Sequence, residues 1–257
     1  MEKNRKMKLS VIGSGGWGRR VIPKFHGLYG VHLVYGHKNR EQLHSELGVN
    51  FTEDIDDLIA QSDAVVVAAP PQVHYELGKK VLAAGRDLWM EKPMALNSRD
   101  AAEMAEMADR SDLIMLVGHI LCYSSFMDRF RKESIVSARG VMNKTSSNEK
   151  VLNSHWNLGI HMVAVAVLLG IDMDRFTLET SHSAAENERS LTVETKDGKT
   201  IKWDVLAPEN QQDMLLDECR HFLECVKTRK QPLTNGWHGV EVIKAMEKLS
   251  PNQFQSE

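Results

Sequence analysis

The sequence predicts an α/β chain in two parts, a doubly wound parallel unit followed by a smaller α+β unit on a mostly antiparallel sheet. Three observations predict it. Strand-like and helix-like stretches alternate as far as residue 117. Residues 64–69, Ala-Val-Val-Val-Ala-Ala, form a continuous apolar run of the kind buried on both faces of a parallel sheet. After residue 118 the strands cluster, and two are joined by Lys196-Asp-Gly-Lys199, where Asp-Gly is the strongest short hairpin signal.

Taken in order, residues 8–13 are a β-prone run ending in glycine. Residues 18–28 follow as a helix in which Pro23 demands a kink or an early end. Residues 31–35 are a second strand, and residues 40–47 and 54–59 are short helices. The apolar strand at 64–69 is bounded by Pro70-Pro71, and a helix over 73–84 closes at Gly85. Residues 88–92 are a strand, 98–110 a helix with Ser98 in the N-cap position, and 113–117 another apolar strand. Beyond 118, residues 126–132 are helical and 137–144 extended. Residues 156–169 make a strongly apolar helix stopped by Gly170. Strands at 176–181, 191–195 and 200–205 complete the second sheet; helices at 211–228 and 238–249 close the chain, and residues 251–257 read as a frayed tail.

The 257 residues give room for two modest domains, expected at 1–119 and 120–257. Hydrophobic content of 42% and charged content of 26% are ordinary for a soluble globular protein. A net charge of −3 offers no footprint for nucleic acid. The start of the sequence is polar, without the apolar stretch of a secretory signal. The longest apolar runs, such as residues 162–169, are too short to span a bilayer. Cys122, Cys219 and Cys225 show no Cys-x-x-Cys spacing and read as reduced, buried thiols of a cytoplasmic protein. No Cys/His cluster has ligand spacing, so no metal is expected.

Gly13-Ser-Gly15-Gly16-Trp17-Gly18 fits G-x-G-x-x-G, following a strand and opening a helix. In that setting Gly13 permits the tight turn, Gly15 lets backbone approach a pyrophosphate, and Gly18 lets the helix pack close to the sheet. The helix N-terminus then presents N–H groups and a positive dipole end to phosphate. This is the fingerprint of a Rossmann dinucleotide-binding domain; the alternative is a glycine-rich turn that binds nothing. The usual carboxylate for the ribose 2′-hydroxyl, some twenty residues on, is absent. The region reads Tyr35-Gly36-His37-Lys38-Asn39-Arg40. Lys38 or Arg40 would attract a 2′-phosphate there, favouring NADP or use of both cofactors, unless they simply cap a solvated helix.

Asp87-Leu-Trp-Met-Glu91-Lys92-Pro93 delivers a lysine to the C-terminal end of its strand, the side of an open parallel sheet on which ligands sit. A lysine held there is a candidate to polarise or deprotonate a substrate oxygen.

The glycine loop, then Ala68-Ala69-Pro70-Pro71 with His74, then Glu91-Lys92-Pro93, come in the order seen in the Gfo/Idh/MocA oxidoreductases, and the chain resembles that family. Val117-Gly-His119-Ile-Leu-Cys-Tyr123, Asn157-Leu-Gly-Ile-His161, and Glu218-Cys-Arg-His-Phe-Leu223 followed by Pro232-Leu-Thr are similar to family segments, so the resemblance runs over residues 8–250. The nearest flavour is the subgroup that oxidises nucleotide-linked amino sugars at the 3-position. The resemblance implies a Rossmann domain binding NAD or NADP, an open-sheet domain that often forms an oligomer interface, and hydride exchange with a sugar, polyol or nucleotide-sugar. It also implies that Ala69, Pro70, His74 and Glu91 lie along the cofactor, beside the glycine loop, His37, Lys38, Arg40 and Lys92.

By the same resemblance the chemistry belongs to Lys92 and to an Asp-x-x-x-His pair on one helix. His161 matches; position 157 is Asn, which cannot titrate, and a further acid expected at 164 is Ala. His161 would take the hydroxyl proton, Lys92 would polarise the oxygen, and Asn157 would position by hydrogen bonding. His119, Tyr123 and Trp156 would contact substrate or pack between elements. The stretch between residues 170 and 215 is compact for the family. The lost acids leave two alternatives open: a nucleotide-binding relative without turnover, and a reductase of C=N or C=C bonds that needs a proton donor rather than a strong base.

Overall fold

The computed structural model describes residues 6–145, 152–181, 184–210 and 212–251. The chain divides into two units: Met1–Gly118 with Leu215–Trp237, and His119–Met214 with His238–Glu257. The boundary expected at 119/120 falls beside the end of the first stretch, while Leu215–Trp237 belongs with the N-terminal unit.

Unit one is a six-stranded sheet, parallel throughout, formed by β1 (Leu9–Ile12), β2 (Val34–Tyr35), β3 (Phe51–Thr52), β4 (Ala64–Val67), β5 (Asp87–Glu91) and β6 (Met115–Gly118). Their order is β3-β2-β1-β4-β5-β6. The chain reverses direction across the sheet between β1 and β4, which makes the C-terminal ends of those two strands the switch point where open α/β sheets take ligands. β1, β4, β5 and β6 are buried at every residue, as expected of strands covered on both faces. The two-residue edge strand β3 was not expected; it is too short to leave a period in the sequence.

The crossover helices are α1 (Gly18–Leu28), α2 (Arg40–Leu47), α3 (Ile55–Gln61), α4 (His74–Ala83) and α5 (Ser98–Arg110). α1 runs through Pro23 without ending there. The carbonyl that loses its partner to Pro23 belongs to residue i−4, Arg19, an exposed position where water can replace the missing N–H. Asp54 caps α3 by accepting from the N–H groups of Asp56 and Asp57. α5 is capped by Asn97, whose carbonyl accepts from Asp100 N at 2.8 Å; Ser98, the expected cap, is the first helical residue.

The returning stretch carries most of helix α8 (Met214–Thr228) and completes unit one. Phe222 meets Phe25 edge-on at 6.1 Å, and Phe25 meets Trp89 the same way. Arg229, just past α8, pairs with the buried Asp87 at 2.6 Å and donates to Asp112 O. Thr234 then bonds twice to Val117 of β6, through its hydroxyl and through its own carbonyl.

Unit two has a four-stranded sheet in the order β10-β9-β7-β8, built from β7 (Ile135–Asn143), β8 (Phe176–Ser181), β9 (Glu188–Thr195) and β10 (Thr200–Asp204). β7–β9 and β9–β10 are antiparallel and β7–β8 is parallel. The hairpin at Asp197-Gly198 joins β9 to β10 as read from the sequence. Burial alternates along β10, with Ile201 and Trp203 inward, so the sheet has one dry face. Trp203 stacks on Phe126 at 5.6 Å beside the short helix α6 (Met127–Phe130). The apolar helix α7 (Ile160–Leu168) is preceded by a single π-helical turn, His155–Gly159. The last helix, α9, is Gly236–Leu249. The tail expected to fray lies outside the described residues beyond Pro251.

Candidate functional site

In unit one the glycine loop runs from the end of β1 into α1. Gly13 has φ +110°, and a side-chain carbon there would stand 2.4 Å from Ala68 O, so the loops leaving β1 and β4 touch at a spot that admits only glycine. A carbon added at Gly18 would stand 2.1 Å from Gly13 O, which brings the first turn of α1 against the loop. At Gly15 and Gly16 nothing lies within 4 Å. Their backbone therefore faces open space at the switch point, where a phosphate-bearing ligand can reach main-chain N–H groups. Trp17 stands just before α1, makes no capping hydrogen bond with its side chain, and carries the Arg20 guanidinium over its ring at 5.5 Å.

The segment after β2 is tied to this loop by contacts that no local pattern announces. The Ser14 hydroxyl donates to Lys38 O, and the Asn39 amide donates to Ser14 O at 2.7 Å. Asn39 sits at φ 55°, a left-handed conformation that asparagine tolerates. Of the cations expected near the ribose, Arg40 is engaged elsewhere: it pairs with Glu53, 13 residues on, and lies over the Phe51 ring at 5.2 Å. The Arg40 hydrogen bond and charge hold the Glu53 carboxyl below its ordinary range. His37 and Lys38 are exposed, with His37 edge-on to Tyr35.

After β4 come Ala68, Ala69 and the exposed Pro70. His74 does not face outward from this turn. It is buried, its Nδ1 lies 2.7 Å from Pro93 O, and its Nε2 lies 2.8 Å from Ala69 O. After β5, Glu91 is buried and accepts from Lys92 N at 3.0 Å, and Lys92 is half-buried ahead of a cis peptide to Pro93. The structure thus gathers Gly13–Gly18, Lys38, Ala69, Pro70 and Lys92 on the C-terminal ends of the unit-one strands.

Unit two holds the remaining candidates. Asn157 lies in the π-helical turn and His161 is the second residue of α7, so the turn between them is wider than the plain helical spacing assumed from the sequence. Asn157 is buried and His161 half-buried. The turn is fastened to β8, with Thr180 bonded to both Ser154 and His155. Trp156, a candidate substrate contact, is fully buried and donates its indole N–H to Ser250 O at 2.8 Å; it anchors the turn. His119 is buried and meets His238 edge-on at 5.4 Å, while His238 bonds to Ala164 O. Burial pushes His238 below the usual histidine value against that hydrogen bond. Tyr123 is half-buried, and its carbonyl accepts from Gln212. Among the described residues no group of three or more His, Cys, Asp or Glu could hold a metal ion, and no helix is long and apolar enough to cross a membrane.

Comparison with known proteins bears on this geometry. Residues 7–119 match the GFO_IDH_MocA family model, described as an oxidoreductase family with an NAD-binding Rossmann fold. An uncharacterized oxidoreductase of Streptococcus pneumoniae is 31% identical over 120 residues, covering 45% of this chain and 32% of that protein. Glucose-6-phosphate 3-dehydrogenase of Bacillus subtilis is 24% identical over 220 residues, covering 76% of this chain and 61% of that protein. The matches therefore span from about a third to three fifths of these relatives' lengths. In fold, the chain is similar to UDP-N-acetylglucosamine 3-dehydrogenase GnnA from Acidithiobacillus ferrooxidans, with TM-score 0.85, 20% identity, and coverage of 95% of this chain and 96% of that one.

Proposed function

We propose that the protein is an NAD(P)-dependent dehydrogenase of a sugar, polyol or nucleotide-sugar, of the Gfo/Idh/MocA oxidoreductases whose NAD-binding Rossmann model residues 7–119 match. The observation that carries the proposal is the glycine loop: Gly13 is locked against Ala68 while Gly15 and Gly16 stay open at the switch point. These residues fit a dinucleotide, because a side chain at either open position would fill the space that a pyrophosphate needs. Gly13, Gly15, Gly16 and Gly18 would hold it by backbone approach, with Lys38 beside the ribose and Ala69 and Pro70 along its edge.

When bound, the nicotinamide ring supplies hydride transfer. Lys92, presented at the end of β5, donates a hydrogen bond to the substrate oxygen and stabilises the negative charge that develops there. His161 on α7 takes the hydroxyl proton. Asn157 cannot act as an acid or base and orients the substrate through its amide. As in the family it resembles, the working form would be a homo-oligomer in the cytoplasm acting on a small molecule.

The test has two steps. NADH or NADPH should quench tryptophan fluorescence and raise the melting temperature, since a ligand that binds only the folded state stabilises it. Absence of both effects at millimolar cofactor overturns the proposal. Sugars, inositols and UDP-sugars are then screened by absorbance of the reduced nicotinamide, and Lys92→Ala should lower any turnover by about a hundredfold or more while sparing cofactor binding. Asn157 and Ala164 favour a second reading, a relative that binds the nucleotide without oxidising a substrate. Cofactor binding with no turnover across the panel would select it.

A further inference from the structure

His74 occupies a place that a simple space-filling residue would hold more cheaply. It opens α4, where the helix dipole disfavours a cation, and it is buried with Lys92 close enough to oppose a second positive charge. Its two ring nitrogens nevertheless point at two main-chain carbonyls, Ala69 O at 2.8 Å and Pro93 O at 2.7 Å. One belongs to the loop after β4 and the other to the loop after β5, both at the ligand end of the sheet.

Carbonyl oxygens only accept, so each contact becomes a hydrogen bond when the facing nitrogen carries hydrogen. A neutral ring supplies one such N–H and an imidazolium supplies both. Burial is the largest influence and pushes the imidazolium down; the two carbonyls push it up and Lys92 pushes it down again. The carbonyl contacts and the burial thus pull in opposite directions, and burial sets the net direction. In either charge state the ring holds at least one of the two loops.

We propose that His74 is a positioning residue, a staple between the loop after β4 and the Lys92–Pro93 loop that holds one of the two carbonyls as the neutral ring and both as the imidazolium, and so fixes the backbone that presents Lys92 without touching a ligand itself. Holding Pro93 O restrains the residue next to Lys92, and holding Ala69 O restrains the turn into Pro70. This use of both ring nitrogens differs from the cofactor contact that the sequence suggests for His74. The consequence for catalysis rests on the role of Lys92 proposed above; the staple itself does not.

The experiment measures the staple without needing a substrate. Each lysine's rate of reaction with trinitrobenzenesulfonate is followed by mass spectrometry in the wild type, His74→Gln and His74→Leu, with Lys202 and Lys244 as internal references. His74→Leu removes both donors and should change the Lys92 rate by about threefold or more with the references unmoved, and His74→Gln, which keeps one donor group, should change it less. A folded His74→Leu protein whose Lys92 rate is unchanged, even with a lower melting temperature, reduces His74 to a packing role and overturns the proposal. Should neither variant fold, the native protein decides: a buried imidazole N–H bonded to a carbonyl gives a slowly exchanging, downfield proton resonance, and its absence removes the staple. Protection of Lys92 by NADH is read separately. Failure of that protection counts against the dehydrogenase proposal and leaves the staple standing.

Discussion

Gly13→Ala and Gly15→Ala separate what the glycine loop does for the fold from what it does for a ligand. At Gly13 an alanine must adopt φ +110° and place its Cβ 2.4 Å from Ala68 O. The backbone strain is worth ~1–3 kcal/mol. The overlap falls on main chain rather than on a flexible side chain, and relieving it by shifting the β4 loop adds about 1–3 kcal/mol. Together these give roughly 2–6 kcal/mol, or a melting temperature lower by roughly 4–24 °C for a chain of this size. At Gly15 nothing stands within 4 Å and the backbone is not in the left-handed region. Gly15→Ala should therefore leave stability within ~0.5 kcal/mol of wild type. The same methyl group occupies the approach to the loop, so NADH affinity should fall by at least about tenfold, ~1.4 kcal/mol. Urea unfolding reads the first quantity and fluorescence titration with NADH the second. Gly15→Ala binding NADH as wild type does, or destabilising the fold as much as Gly13→Ala, would refute the division of roles.

Three further outcomes follow. Arg229→Ala strips the buried Asp87 of its cation while leaving it the Ile114 N–H; because Arg229 is 43% exposed, the full cost of a broken buried pair is not reached, and urea unfolding should show a loss of about 1–3 kcal/mol. Burial holds His74, His155, His221 and His238 below their ordinary value of 6.5, so between that value and their lower folded ones the unfolded chain binds more protons; stability should be complete above pH 6.5 and decline as pH falls below it, and a urea midpoint that stays level from pH 7.5 to 5.5 would contradict this. With Arg40 committed to Glu53, Lys38 is an exposed cation in the segment after β2; Lys38→Ala should weaken NADPH by about tenfold and NADH little in calorimetric titration, and equal losses for the two would show that Lys38 does not read the 2′-phosphate.

Much of unit one could be read from local pattern because its elements announce themselves locally. The all-buried strand at Ala64–Val67 is an apolar run in the sequence, and the helix Arg40–Leu47 has the bounds its pattern suggests. The failures are non-local or very short. Phe51–Thr52 is two residues long and becomes a strand only by pairing with β2. Asn97 caps α5 in place of Ser98, and since both residues cap well, propensity does not choose between them. The π-helical turn has no sequence period of its own, so the Asn157–His161 spacing looked simpler than it is. At the candidate site the positions of Gly13 and Gly18 followed from close backbone approaches that glycine alone satisfies, and that of Gly15 from the spacing of the glycine motif. The capture of Arg40 by Glu53 and the two carbonyls around His74 depend on contacts across 13, 5 and 19 residues, and nothing in the local pattern encodes them.

The return of Leu215–Trp237 to the N-terminal unit has a consequence for how the protein comes into being. A Rossmann unit closed within its first half could fold on the ribosome while the remainder was still being made. Here Phe222, which covers Phe25 of α1, and Thr234, which pairs with Val117 of β6, are translated some hundred residues or more after the elements they complete. Until then the nascent chain carries an unclosed β6 edge and an uncovered aromatic face, so unit one reaches its finished form only once Leu215–Trp237 has been made. A fragment ending at Gly118 would hold the whole glycine loop and Lys92, and would still lack the segment that covers Phe25 and pairs with Val117.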